Sequence, residues 1–133
     1  MDDPKSNTAD IAAPMMEVTN NATTETLLRT STSWNGVPYQ SYPVGVPEIS
    51  TLKINIPAKC VLNWHEHPMP TAAYVLSGEI TVEEPDGRQQ RFTAGQVIQE
   101  PVNTIHRGVV GETDAVFIVF YAGVKGMPLS KHL

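Results

Sequence analysis

Turn signals recur every eight to twelve residues along this chain and limit the length of any regular segment between them. Pro57-Ala58-Lys59, Pro68-Met69-Pro70, Ser77-Gly78, Pro85-Asp86-Gly87, Ala94-Gly95 and Gly111 to Asp114 each interrupt the backbone. Proline fixes φ and removes a donor, while glycine reaches angles closed to other residues. No helical period survives between these breaks. The segments alternate instead: Leu52, Ile54 and Ile56 share one face while Lys53 and Asn55 take the other, and Ile80 and Val82 share a face of Glu79 to Glu84. Ala115 to Tyr121 is apolar throughout and reads as a strand buried on both faces. Nine to eleven short strands with such spacing predict an all-β sandwich or barrel.

The chain of 133 residues is long enough for one domain with a real core. Residues 1–22, rich in Asp, Asn, Thr, Ala and Pro, read as a flexible arm, and 23–133 as the β-domain. Within that domain, Thr26 to Ser31 suggests a short strand and Trp34 to Pro38 a turn with an aromatic anchor. Tyr39 to Pro47 reads as an ordered loop or edge strand, and Ala122 to Leu133 as an irregular tail. The net charge of −5 comes without any Lys/Arg cluster, which argues against nucleic acid or an anionic membrane surface as partner. No apolar run reaches the ~18 residues of a membrane span, and no secretory signal opens the chain. A cytoplasmic location fits, as does a periplasmic one from which a signal was removed. Cys60 is the single cysteine, so no internal disulfide can form, and it reads as a half-buried inert thiol.

The stretch Asn63-Trp64-His65-Glu66-His67-Pro68 places two imidazoles two residues apart. In an extended strand both point to one side, with Glu66 and Trp64 on the other. Two converging imidazoles are half of a first-row transition-metal site, although an exposed polar strand face would look the same. His106 follows a loop after the Gly95 turn, and His132 sits in the tail. Strand pattern alone does not bring either to the first pair.

Two stretches resemble the motifs of the cupin family. The first motif runs G-x5-H-x-H-x3-4-E-x6-G; here Lys59 stands at the opening glycine, followed by His65, His67, Thr71 at the glutamate position and Gly78. The second runs G-x5-P-x-G-x2-H-x3-N; Gly95, Pro101 and His106 match, while Asn103 replaces the glycine and Val110 the asparagine. The resemblance implies a small jelly-roll barrel of antiparallel strands with a metal held by His65, His67 and His106. It also exposes a departure, because Thr71 is a poor ligand where the family carries a carboxylate.

Glu100 is the one carboxylate placed to compensate, six residues before His106. Three roles stay open for it: an outward solvated position, a partner or general base beside the site, or a direct ligand. Gln99 has the opposite parity, so one of the two faces inward. Tyr74 is read either as a core residue or as a phenol pointing into the pocket. Asn103 and Thr104 stand near the expected barrel mouth, Arg107 points away from His106, and Met69 and Met127 read as packing residues.

The resulting expectation is a metal-dependent dioxygenase acting on a small oxygen- or sulfur-bearing molecule, with Glu100 and Tyr74 as catalytic candidates. Ferrous iron is the first choice of metal, with manganese, nickel or zinc as alternatives. Competing expectations are oxygen-independent isomerase, decarboxylase or lyase chemistry, and a non-catalytic small-ligand binder. A homodimer is expected because an antiparallel sandwich of this size leaves faces and edges to cover.

Overall fold

The computed structural model describes residues 21–133, so all but the last two residues of the expected arm lie outside the described residues. Nine strands are seen among them: β1 (Pro47–Ile56), β2 (His65–Glu66), β3 (Thr71–Ser77), β4 (Glu79–Glu83), β5 (Gln89–Thr93), β6 (Val97–Glu100), β7 (Arg107–Val110), β8 (Ala115–Val124) and β9 (Lys131–His132). One sheet runs β1-β8-β3-β6 and a second runs β5-β4-β7, with every neighbour antiparallel. This is the expected all-β jelly roll, although its sheets do not close into a continuous barrel.

Residues between the Pro57 turn and β2 extend the second sheet. Leu62 N donates to Gly108 O and Val110 N to Cys60 O, each at 2.9 Å, and His65 and His106 exchange two backbone bonds at 2.9 Å. The strand expected over Cys60 to His67 is therefore present as a ladder, but regular only at β2. β9 then pairs with β2, setting His132 opposite His65 and Lys131 opposite Glu66.

Alternation dictates what lies between the sheets. Ile56, Ala73, Val75, Ile98, Ala115, Phe117, Val119 and Tyr121 from one sheet meet Ile80, Val82, Phe92 and Val110 from the other in a single core. Large buried aliphatic and aromatic side chains each contribute roughly 1.5–3 kcal/mol through area removed from water, so this layer holds the two sheets together.

Four expectations need correction. β8 is not buried on both faces: Phe117, Val119 and Tyr121 point inward, Val116 and Ile118 are half-buried, and Phe120 is exposed on the outer face. Residues 26–31 form no strand; they have no ladder partner among the described residues, and the nearest pairing is a single bridge between Thr32 and Pro38. Pro47 begins β1 instead of closing a loop. The tail is not wholly irregular, since β8 continues to Val124 and β9 pairs with β2.

The two motif positions where glycine is replaced are both left-handed, with φ of 65° at Lys59 and 52° at Asn103. That is the conformation glycine adopts freely and asparagine tolerates, so both positions hold the backbone a glycine would take. Gly78, the closing glycine of the first motif, has φ of 78° and no room for a side chain. A Cβ there would lie 2.5 Å from Asp114 O and 2.9 Å from Ala115 Cα.

Candidate metal centre

His65, His67 and His106 meet inside the shell, each offering one ligand atom, all within 4.8 Å of one another. Their ring centroids lie 4.5 Å apart for His65 and His106 and 5.1 Å apart for the other two pairs. The backbone orients each ring. His65 Nδ1 donates to Asn63 O at 2.7 Å, His67 Nδ1 to Leu129 O at 2.9 Å, and His106 Nδ1 to Thr104 O at 2.8 Å. A carbonyl can only accept, so each Nδ1 carries the proton and each Nε2 presents a lone pair. Burial pushes all three imidazoles below their usual range and keeps them neutral.

Glu100 stands beside the cluster on β6, next to His106 and His67, while the ligand atoms that lie within 4.8 Å of one another are those of the three histidines. Glu100 pairs directly with Thr71 on β3 in the antiparallel ladder, so both side chains point to the same inner face. Its Oε1 lies 3.4 Å from His106 Nε2 and its Oε2 lies 3.9 Å from His67 Nε2, with only 13% of the side chain exposed. Of the three roles open in the sequence, the outward one is excluded. Gln99 takes the outer face instead. Burial raises the Glu100 pKa, opposed only by His67. Two atoms here, Glu100 Oε1 and His106 Nε2, are buried with no hydrogen-bond partner among the described residues.

Those orphaned atoms test whether a metal fits. Unpaired buried polar atoms are costly, and a buried carboxylate is costlier still without a counter-charge. A divalent ion supplies both needs at once. Two donors each about 2.0–2.2 Å from one ion stand roughly 2.8–3.6 Å apart at right-angled or tetrahedral positions; the 3.4 Å from Glu100 Oε1 to His106 Nε2 lies in that range, and the 3.9 Å from Oε2 to His67 Nε2 lies just beyond it. Three bare imidazole nitrogens beside an oxygen donor suit a first-row divalent metal, so the residues present fit the group.

The phenol expected from Tyr74 is not here. Tyr74 pairs with Ile118 and Val97 on the outer face, three residues along from inward Thr71 and therefore of opposite parity. The ring that faces the imidazoles belongs to Tyr121, buried and 5.8 Å centroid to centroid from His67. Burial raises its pKa, and the Glu100 charge adds to the effect. Thr71 is buried too, and its hydroxyl donates to Met69 O at 3.1 Å. The three imidazoles, Glu100 and Tyr121 line a cavity of about 90 Å³ whose remaining walls are apolar, with Ile54, Leu62, Ile80, Phe117 and Val119 among them.

Outside the cavity the remaining residues are placed as structural groups. Arg107 stacks over Trp64 at 4.2 Å and its Nε donates to Glu83 Oε2 at 2.6 Å. Asn103 N donates to His67 O at 2.7 Å, tying the loop before His106 to the His67 backbone. Met69 is fully buried, and Met127 packs against the core. Cys60 is half-buried and also packs against the core rather than into the cluster. His132 had no sequence signal, yet its ring lies 5.9 Å from that of His65.

No curated protein sequence matches this chain. Among solved structures it is similar to the DMSP lyase DddQ from Ruegeria pomeroyi DSS-3, at 18% identity over 73% of this chain and 46% of that one, with a TM-score of 0.57. It is also similar to the polyketide cyclase RemF from Streptomyces resistomycificus, at 22% identity over 64% of this chain and 60% of that one, TM-score 0.54. A cupin-like protein from Thermotoga maritima matches at 15% identity over 64% of each chain, TM-score 0.55. The chain spans less than half the length of the DMSP lyases it resembles. At these identities the likeness concerns the fold. A family model for the cupin domain matches residues 53–121, the span that contains the three histidines, Glu100 and Tyr121, and the chain belongs to the cupin family.

Proposed function

We propose that this protein is a metal-dependent enzyme acting on a small oxygen- or sulfur-bearing molecule by proton transfer, in the lyase or isomerase manner and without dioxygen. The observation that carries this reading is the company the imidazoles keep: a buried phenol and a buried carboxylate share their small cavity. A metal bound by His65, His67 and His106 would supply a positive charge that polarises an oxygen or sulfur of the substrate. The chain's own residues do the rest. Tyr121, kept protonated by burial and by Glu100, holds a proton at its hydroxyl for delivery to the reacting molecule. The aliphatic walls exclude water and strengthen each polar contact inside. The lyase and the cyclase among the similar structures agree with chemistry of this class.

Dioxygenation by a ferrous site is the second reading, favoured by the three neutral nitrogen donors without a carboxylate at position 71. Oxygen separates the two. Metal-loaded protein is assayed on panels of small thioethers, sulfonium compounds, hydroxy acids, diketones and thiols, in air and in an anaerobic chamber. Equal turnover in both supports the first reading; turnover that needs oxygen and consumes it supports the second. Under the first, Tyr121→Phe lowers kcat by about 10²–10⁴-fold, as loss of a general acid does, while Tyr74→Phe leaves it unchanged. Normal kcat in Tyr121→Phe would defeat the acid role.

A homodimer belongs to the same reading. Ile49 and Phe120 stand exposed on the outer face of the four-stranded sheet, at 73% and 41%. A second copy would cover them, and light scattering that shows a monomer at micromolar concentration counts against it.

A further inference from the structure

The family motif asks for a carboxylate at position 71, and this chain has a threonine whose own hydroxyl is occupied by Met69 O. Directly across the β3–β6 ladder, at the paired position, stands the inward carboxylate of Glu100. We propose that Glu100 is the fourth protein ligand of the metal, so that the carboxylate has changed strands while the donor set of three imidazoles and one carboxylate is kept. This deepens the metal reading above and rests on it.

Three observations carry the assignment beyond proximity. First, paired residues of an antiparallel ladder stand about 4.5–5.5 Å apart at Cβ, so a longer side chain from β6 reaches the space that one from position 71 would fill. Second, Glu100 Oε1 has no hydrogen-bond partner among the described residues, and neither has His106 Nε2, 3.4 Å away. A carboxylate acting as an outer partner would receive a hydrogen bond from a ligand's free N–H. Here that role is filled for every imidazole by a backbone carbonyl on Nδ1. The Glu100 oxygens face the Nε2 side, where the metal would sit. Third, the end of β6 is fixed. Tyr39 Oη donates to the Glu100 carbonyl at 2.7 Å, Trp34 N donates to Gln99 O at 3.0 Å, and Pro101 is fully buried.

The test measures metal affinity directly, by competition titration of Co²⁺ and Mn²⁺ against a chelator, with the visible absorption of the Co²⁺ protein reporting coordination. Glu100→Gln is expected to weaken binding by more than about 100-fold, beyond the 10- to 100-fold usual for an outer-shell partner, and to change the Co²⁺ spectrum. The exchange Thr71→Glu with Glu100→Thr, which moves the carboxylate back across the ladder, is expected to recover affinity to within about tenfold of the parent, whereas Glu100→Thr alone does not. Parent affinity and spectrum in Glu100→Gln overturn the proposal and leave the three-histidine site standing. Failure of the parent protein itself to bind either metal overturns both. Should the variants not fold, anomalous diffraction at the metal edge of the parent protein decides. Glu100 Oε1 or Oε2 at about 2.0–2.2 Å from the ion is the expected result, and both oxygens beyond hydrogen-bond range of it overturn the assignment.

Discussion

Ending the chain at Pro128 removes the carbonyl of Leu129, the acceptor for His67 Nδ1–H at 2.9 Å, together with the β9 pairing that covers β2. His67 is only 5% exposed, so its N–H then has no replacement partner among the described residues unless water enters. A buried donor left unmade costs about 1–3 kcal/mol. The ring escapes that cost by moving its proton to Nε2, which destroys the lone pair a metal needs. Either route weakens metal binding, and loss of an outer-shell partner typically weakens it 10- to 100-fold, about 1.4–2.7 kcal/mol. The assay is chelator competition with the truncated and full chains. Leu129→Ala serves as control, because it trims side-chain packing against the core but keeps the carbonyl. That control should lose on the order of 1–2 kcal/mol of stability with affinity unchanged. The thermal shift on adding metal should also shrink in the truncated protein by the same free energy at fixed metal concentration. Equal affinity in the truncated and full chains would refute the reasoning, since it would mean the Leu129 carbonyl does not set the tautomer of His67.

Gly78→Ala should destabilise the fold by about 2–4 kcal/mol, combining the left-handed backbone with overpacking against the Asp114 and Ala115 backbone. A melting point lowered by less than about 5 °C would contradict it. Lys59→Gly should do the reverse. Relief of a left-handed lysine is worth about 1–2 kcal/mol, and the added freedom of the unfolded chain takes back about 0.5–1, so a rise of a few degrees in melting point is expected and a fall would refute it. The ion pair to Glu112 that this loses is solvent-exposed and counts for little. Tyr39 gives an alkaline limit. Its pKa is raised from 10.0 to about 12 by burial and by Glu100, so the folded state holds the proton more tightly than the unfolded one. The stability this lends is complete below pH 10 and is lost as pH rises towards 12. With the ring half in solvent its size is discounted to the order of 1 kcal/mol. Urea melts of the parent and Tyr39→Phe should show that decline only in the parent; parallel curves through this range would dismiss it.

Much of the fold was legible because its information is local. Alternation in β1 and β4 and the Pro-Asp-Gly turn each need only a few neighbouring residues to declare themselves. The histidine pair of residues 65 and 67 was legible for the same reason. Tyr121 was not, because an apolar run from Ala115 carries no alternation to reveal which side faces inward, and only pairing with β1 and β3 decides it. Tyr74 could have been rejected earlier: if Thr71 faces the site, a residue three further along the same strand cannot. The Leu129 carbonyl and His132 lay beyond reach, since a backbone acceptor leaves no side-chain signature in a tail broken by Gly126 and Pro128.

Glu100 joins these two kinds of information. Its signal was local, the one carboxylate placed six residues before His106 to compensate for Thr71, but its meaning is a matter of register across 29 positions between paired strands. A motif written along one strand records a donor set only when every donor stays on that strand. In a sheet, the position opposite is as close to the site as the original, so a ligand can cross the ladder with no change in backbone, and the linear motif then reads as broken while the donor arrangement persists. A shortfall at a motif position in such a shell is therefore best checked against the paired residues on either side, here Glu100 and Tyr121, both paired with Thr71 and both facing the imidazoles.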